Sequence, residues 1–256
     1  MKVCAALLPL VIIGTWGNAQ ADEVKRDGKW RGSGGAALSI SSGNTRSSSI
    51  NLTADAARVT PVNKLTLNSQ ILGSRSESNG LTSTTANQWA VSTRYDHNIS
   101  PHVFGFGGLN LNHDQIKLLA LRSVVSGGLG YHLIKTEDHQ FDIFSGFSYK
   151  SDKYSGSGIY INNQLRSSLN AAEVLFGEES TNKLSETVSF SQRLVINSSL
   201  NNTGNRATFN ASLLVALNKT LSLSVTLQDR YDGFVTAPLK KNDILFFTGI
   251  NVKFGG

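Results

Sequence analysis

The sequence predicts an all-β chain, a single antiparallel transmembrane β-barrel of about twelve strands, and three observations predict it. Stretch after stretch alternates apolar with polar residues at period two, the pattern of a strand with one face of each kind. Beyond the first residues no apolar run approaches the ~20 residues that a membrane helix needs, so any spanning falls to strands. The alternation is clearest at the end of the chain. Leu221, Leu223, Val225, Leu227 and Tyr231 alternate there with Ser222, Ser224, Thr226, Gln228 and Arg230. Ile244, Phe246, Ile250, Val252 and Phe254 then share one parity, broken only by Thr248, against Gly249, Asn251 and Lys253.

Composition agrees with many strands and turns. Hydrophobic residues make up 39% and charged residues 16%, both low for a soluble globular chain, with Ser, Thr, Asn and Gly filling the difference. Residues Met1 to Ala21 read as a cleavable secretory signal, with Lys2 as the charged start, Val3 to Ile13 as the apolar stretch and Ala19-Gln20-Ala21 as the small-x-small cleavage site. The mature chain is expected to begin at Asp22, with a lead-in over 22–29 and the barrel over 30–254. Removal of Cys4, the single cysteine, leaves no thiol for a disulfide, a thiolate metal site or a nucleophile. The net charge of +6, with a pI of 9.5, is scattered among acids and forms no basic stripe, which argues against a nucleic-acid partner. The expected partners are outer-membrane lipid and, during insertion, the barrel-assembly machinery.

Trp30 opens the first strand, which reaches about Ile40 and turns through Ser42-Gly43-Asn44-Thr45. The second sets Ile50, Leu52, Ala54 and Ala56 against Asn51, Thr53 and Asp55, and Pro61 with Asn63 marks the next turn. Leu65, Leu67 and Ile71 carry the third, followed by a loop over Glu77 to Ser83 that holds an Asn79-Gly80 turn signal. The fourth sets Trp89, Val91 and Tyr95 against Gln88, Ser92, Arg94 and Asp96, and turns at Asn98 to Pro101. The fifth, His102 to Asn112, is apolar on both parities, which predicts a bulge near Gly107 and Gly108.

The sixth strand alternates Leu121, Val125, Leu129, Tyr131 and Leu133 with Arg122, Ser126, Gly128, Gly130 and His132, and Lys135 to His139 closes it. The seventh runs from Phe141 to Tyr149 into the longest loop, about Ser151 to Ser168. An eighth is expected around Ala171 to Gly177, with a turn at Ser180 to Lys183. The ninth carries Val188, Phe190, Leu194 and Ile196, with Gln192 interrupting its apolar face. The tenth carries Phe209, Ala211, Leu213, Val215 and Leu217, and Asn218-Lys219 links it to the final pair. Strands of about ten residues in even number bring both ends to one side. The shorter turns then fall in the periplasm and the 151–168 loop outside. The close of the last strand, Gly249, Val252 and Phe254, is the expected insertion signal of an outer-membrane barrel.

Periodicity alone does not say which face points outward, because a soluble lipocalin-like barrel alternates equally well. Charge and bulk decide it. Asp55, Arg94, Asp96, Arg122, Asp142, Lys150, Arg193, Arg230 and Lys253 lie on polar faces, and charges of both signs neutralise one another across a lumen but cost several kcal/mol each in lipid. Aromatics such as Trp89, Tyr95, Phe141 and Tyr149 suit two interfacial girdles. The lumen charges admit two readings. Arg94, Arg122, Arg193 and Arg230 form a basic ladder that selects anions, or they pair with Asp55, Asp96, Asp142 and Glu173 and fill a narrow lumen.

With these residues in view, the chain resembles the YdiY-like family of salt-induced outer-membrane proteins, whose molecular function is unassigned. The resemblance runs from about Trp30 to Phe254. It is carried by Ser42-Gly43-Asn44-Thr45, by Arg94-Tyr95-Asp96, by Arg122 with Gly128-Leu129-Gly130-Tyr131, and by the tail from Tyr231-Asp232-Gly233 through Lys240-Lys241-Asn242-Asp243 to Phe254. It implies outer-membrane location and a link to osmotic or envelope stress, and brings no catalytic residues. Gly255 and Gly256 depart from it by following the aromatic that usually ends such a chain.

Enzymatic and metal readings find little purchase. None of His97, His102, His113, His132 and His139 has the spacing of a helical zinc motif, and most fall at expected strand ends or turns. Gly32, Gly34 and Ala37 match a dinucleotide fingerprint only formally, within a strand and with no helix after it. A membrane-embedded hydrolase would need a Ser–His pair on the lipid-facing wall, which abundant serines cannot test. The expectation is a non-enzymatic envelope protein without cofactor or metal, connected with salt or osmotic stress. The alternative is a narrow passive channel for small, anionic solutes.

Overall fold

The computed structural model describes residues 26–41, 45–78, 80–161, 164–201, 203–235 and 239–255. The expected signal peptide, the turn residues Ser42-Gly43-Asn44 and Asn79 lie outside them. The strands are β1 (Trp30–Ser41), β2 (Thr45–Val59), β3 (Asn63–Ser78), β4 (Leu81–Asn98), β5 (Val103–Asp114), β6 (Leu119–Lys135) and β7 (His139–Tyr154). They continue with β8 (Ile159–Ile161), β9 (Gln164–Arg166), β10 (Ser168–Lys183), β11 (Val188–Ser199), β12 (Arg206–Ala216), β13 (Leu221–Asp232) and β14 (Asn242–Phe254). All but β8 and β9 join neighbour to neighbour in one antiparallel sheet that closes through β1 and β14. The expected barrel of twelve strands is what the chain forms. The pair β8–β9 is a separate hairpin in the loop between β7 and β10.

The wall is apolar outside and polar inside. On β13 Ser222, Ser224, Thr226 and Gln228 are buried, while on β7 Phe147 is 69% exposed and Lys150 is 0% exposed. A soluble barrel would invert this order. Water cannot favour a surface tiled with Leu, Ile, Phe and Tyr side chains, whereas a bilayer can, so the wall belongs in a membrane and points to the outer membrane, where closed barrels span.

The strands are longer than about ten residues, and the excess comes from expected loops. β3 runs to Ser78 and β4 starts at Leu81, so the 77–83 loop shrinks to a tight turn in which Gly80 takes φ 73°. β7 continues through Tyr154, β10 begins at Ser168, and the eighth strand expected around Ala171 to Gly177 is the full-length β10. Its turn lies beyond Lys183 and not over 180–183. The predicted bulge at Gly107 and Gly108 is absent. β5 stays in register there, Gly107 opposite Gly127 and Gly108 opposite Ser126, and slips only between Asn112 and Asp114. The double apolar parity of β5 has another cause, since Phe104 and Phe106 point into the lumen among other aromatics.

Gln192, which interrupts the apolar face of β11, has a partner on the same outer face. Its Nε2 donates to Glu178 Oε2 at 3.4 Å, one strand away on β10.

Closure rests on a close approach at the end where both termini emerge. Gly32 on β1 stands opposite Phe254 on β14, and a Cβ at Gly32 would collide with the Phe254 ring and with the Asp55 carbonyl. The glycine lets the terminal aromatic lie flat on the wall, as cross-strand aromatics do over glycines. Gly32→Val is therefore expected to cost on the order of 1–3 kcal/mol through overpacking and to lower the heat-modifiable, assembled fraction on gels. Phe254→Ser should lower it too. Assembly of both variants at the parent level would show that the seam does not depend on this contact.

Candidate functional site: the barrel lumen

The sheet places the charges expected in the lumen on inward rows. Asp55, Asp142 and Glu173 are buried there, and Arg94, Asp96, Arg122, Arg193 and Arg230 border a shared cavity or its wall. Lys253 shares the inward parity of buried Asn251. Register sets Asp55 opposite Ser33 and Ser33 opposite Lys253, so those two charges occupy one row across β2, β1 and β14.

In the half of the barrel nearer the termini the lumen is filled by a cluster of arginine, carboxylate and aromatic groups. Phe104, Phe144 and Leu175 form its buried centre, with Phe106 and Val195 against them. Glycines make room for the rings, since a Cβ at Gly130 would enter the Phe104 ring and one at Gly177 the Phe144 ring. The Arg94 guanidinium lies 4.8 Å from the centre of Phe106 and 4.6 Å from that of Phe144, and Arg193 lies 5.0 Å from Phe144. Arg94 Nε donates to Asp96 at 2.7 Å and its Nη1 to Glu179 at 3.4 Å, and Arg193 also binds Glu179. One carboxylate thus ties β4 to β11 through the interior. Cation–π contact supplements the ion pairs at a site from which bulk water is displaced.

His132 belongs to this half. Its Nδ1 lies 2.7 Å from Asp142 and its Nε2 3.0 Å from Asn98, and its ring stacks on Phe104 with centroids 4.7 Å apart. It is 7% exposed and buried within the lumen. The sixth strand continues inward through it, and Asp142 opposite supplies its partner.

Toward the other end the charges form paired struts. Arg122 grips Asp152 with two hydrogen bonds, of 2.7 and 2.8 Å, and reaches Asp232 on the far wall at 3.0 Å. Arg206 grips Glu173 at 3.1 and 2.6 Å, with the Ser148 hydroxyl donating to the same carboxylate at 2.8 Å. Lys150, at 0% exposure, holds its Nζ 3.4 Å from Asp152. Lys117 binds Asp243 at 2.7 Å. The expected pairing of arginines with inward carboxylates occurs, but largely with partners other than those foreseen. Asp152, Glu179 and Arg206 lay in stretches read as loop, strand end or turn, and extending the period-two count through β7 and β10 would have found the first two.

Arg230 is the exception among the four arginines. It spans the lumen to two amide oxygens, Gln88 Oε1 at 3.1 Å and Gln70 Oε1 at 3.2 Å, and among the described residues no carboxylate lies within ion-pair distance of it. It borders a cavity of about 300 Å³ that is also lined by neutral side chains such as Asn68, Asn112, Asn210 and Ser212.

The sequence pattern of a family described as "Protein of unknown function, DUF481" matches residues 34–254. No curated protein matches the chain. Among solved structures, the NanC porin is similar at 9% identity and a TM-score of 0.47, covering 87% of this chain and 97% of that one. The translocator domain of the autotransporter NalP from Neisseria meningitidis gives 11% and 0.46, covering 89% and 87%. The COG4313 outer membrane channel from Pseudomonas putida F1 gives 11% and 0.44, covering 91% and 98%. Likeness this distant carries no argument about function, and the fold rests on the chain's own strand pairing.

The two kinds of arginine should separate in stability. Arg122→Ala leaves Asp152, fully buried, and Asp232 without their main partner, which should cost about 3 kcal/mol. Arg230→Ala leaves two amides beside a cavity and should cost less than about 1 kcal/mol. Urea titration of the heat-modifiable band reads both, and equal midpoints would refute the distinction.

Proposed function

The chain belongs to the family of proteins of unknown function DUF481, and we propose that it is a narrow passive channel of the outer membrane that passes small polar solutes, anions more readily than cations. The observation that carries this reading is the cavity of about 300 Å³ inside a closed transmembrane wall, bordered by Lys64, Arg193 and Arg230 as well as by amides and hydroxyls. A pore that served only as a strut would gain from apolar filling, whereas these groups are suited to replacing part of a solute's hydration. Anions are favoured because seven lysines and arginines border the cavity against four carboxylates, Asp96, Asp114, Glu179 and Asp232, while Asp152 and Glu173 lie at 0% exposure behind their arginines. The channel works without catalysis, cofactor or metal.

A second reading, a braced barrel that admits no solute, draws support from the struts that cross the lumen, Arg122 to Asp232 and Arg94 to Glu179. The resemblance to salt-induced proteins belongs to either reading, and connects the protein with salt or osmotic stress. A strain lacking the protein is the check on that link, and unchanged growth after osmotic upshift would remove it.

Planar-bilayer recording of the purified protein separates the two readings. Small, steady conductance with chloride more permeant than potassium is expected, and Lys64→Gln should reduce that preference. A protein that inserts but never conducts would establish the braced barrel instead.

A further inference from the structure

Most charges that border the lumen cavity are spent on one another: Arg94 on Asp96 and Glu179, Arg193 on Glu179, Arg122 on Asp232, Lys117 on Asp243. Among the described residues Arg230 and Asp114, which border the same cavity near its outer end, form no ion pair. Of the five N–H groups of a guanidinium, Arg230 uses two, on Gln88 and Gln70. Asp114 Oδ1 accepts the backbone N–H groups of Ile116 at 3.0 Å and Lys117 at 3.2 Å. These bonds shape the turn after β5 and leave the charge of Asp114 without a cation in ion-pair distance among the described residues.

The two are neighbours. Gln88, which accepts from Arg230 Nη1, stands directly opposite Asp114 in the β4–β5 register, so the guanidinium arrives beside the carboxylate's own position in the wall. Asp114 and Asp243 are the carboxylates whose field reaches Arg230. Asp243, its register partner on β14, is neutralised by Lys117 at 2.7 Å. What remains at this end of the cavity is one cation and one anion, since Lys64 borders the cavity from the start of β3, at the opposite end. They sit at the barrel end that carries the 155–167 and 233–241 connections and is remote from the termini, the external end by the usual asymmetry of short periplasmic turns.

From this juxtaposition we infer that the outer half of the lumen holds a binding site for a zwitterionic α-amino acid, its carboxylate on Arg230 and its ammonium on Asp114. The inference rests on the channel reading and names the solute class that would enter. A free carboxylate satisfies the remaining guanidinium donors in the paired geometry that arginine favours. An ammonium satisfies Asp114 Oδ2, which the turn leaves open. A simple anion meets the repulsion of Asp114, and a simple amine that of Arg230, so the site discriminates by requiring both charges. The amides of Gln88 and Asn112 are placed to bind the remaining polar groups of the solute.

Calorimetric titration of the detergent-purified barrel with L-alanine, propionate and ethylamine tests this directly. Alanine should bind about tenfold or more tightly than either singly charged analogue. Arg230→Gln should weaken alanine by a similar factor and abolish what propionate binding there is. Asp114→Asn keeps the turn-forming side-chain oxygen and should weaken alanine and ethylamine but strengthen propionate. Heat-modifiable mobility verifies that each variant is folded, and the comparison of the three probes on the parent protein decides the matter even if a variant is not. Equal binding of alanine and propionate, no binding of alanine, or alanine affinity unchanged in Asp114→Asn would overturn the site. Alanine binding without bilayer conductance would overturn the channel and leave the site standing, and conductance without alanine binding would do the reverse.

Discussion

Closure of the sheet is the constraint on which everything else depends. Within a bilayer no water is available for an exposed strand edge, so every backbone N–H and C=O must find a partner in a neighbouring strand. Here the last junction is β1 with β14, whose pairing among the described residues runs from Gly32 with Phe254 to Ala36 with Ile250. That is a shorter ladder than the one joining β1 to β2, which extends from Trp30 with Arg58 to Ser41 with Ser47. A short seam has few hydrogen bonds to hold it, which gives weight to side-chain contacts such as the Phe254 ring on Gly32. Glycines on β1 serve the seam in one more place, since a Cβ at Gly35 would strike Asn251 on β14 and Thr53 on β2.

Closing a dozen strands creates a lumen narrower than that of a sixteen-stranded pore and too wide to be filled by small polar residues. Long side chains have to meet in the middle, and the sequence answers with arginines. Their planar guanidinium groups can hold a carboxylate by two bonds and stack on an aromatic face at once, as Arg94 does between Phe106 and Phe144. Such buried pairs contribute little net stability compared with apolar packing, but removing one partner is costly because the other is left charged in a poor solvent. The struts therefore fix which wall faces which. Arg122 joins β6 to β13 and Arg94 joins β4 to β10, contacts that no strand ladder makes.

Much of this was legible in the sequence and part was not, for physical reasons. Alternation fixes each residue's side of a strand, so the inward rows of β2, β4, β6 and β13 follow from Asp55, Arg94, Arg122 and Gln228 by counting in twos. The same rule hid Phe104 and Phe106, because an apolar residue on an inward row blurs the alternation and was read as a bulge. Strand ends were also underread. A membrane strand that rises beyond the bilayer into polar surroundings, as β3, β4 and β10 do, changes to Ser, Thr, Asn and Glu without leaving the sheet, and that composition reads as a loop. Glu179 and Asp152 were lost in this way, and with them the true partners of Arg94, Arg193 and Arg122. Partner choice across the lumen is beyond a one-dimensional pattern altogether. Arg122 and Asp232 are brought together by the circumference of the barrel.

The distribution of paired and unpaired charge divides the lumen into two regions with different physics. Near the termini, aromatic rings, Arg94, Arg193 and Glu179 leave little room and little need for water. Near the opposite end, Arg230 rests on neutral amides beside Asp114, and the cavity is bordered by groups that can exchange one hydrogen-bond partner for another at small cost. On the channel reading, a solute entering from that end meets these exchangeable groups and the Arg122–Asp232 strut first and the aromatic cluster second. Passage past the second would require Arg94 or Arg193 to release Glu179 for a moment, and the cation–π contacts of both with Phe144 offer each guanidinium somewhere to stay while it does so. Two arginines on one carboxylate make that release easier than a single pair would, because Glu179 keeps one partner whenever the other swings away. The region that narrows the lumen is thus also the one best arranged to yield without exposing a naked buried charge.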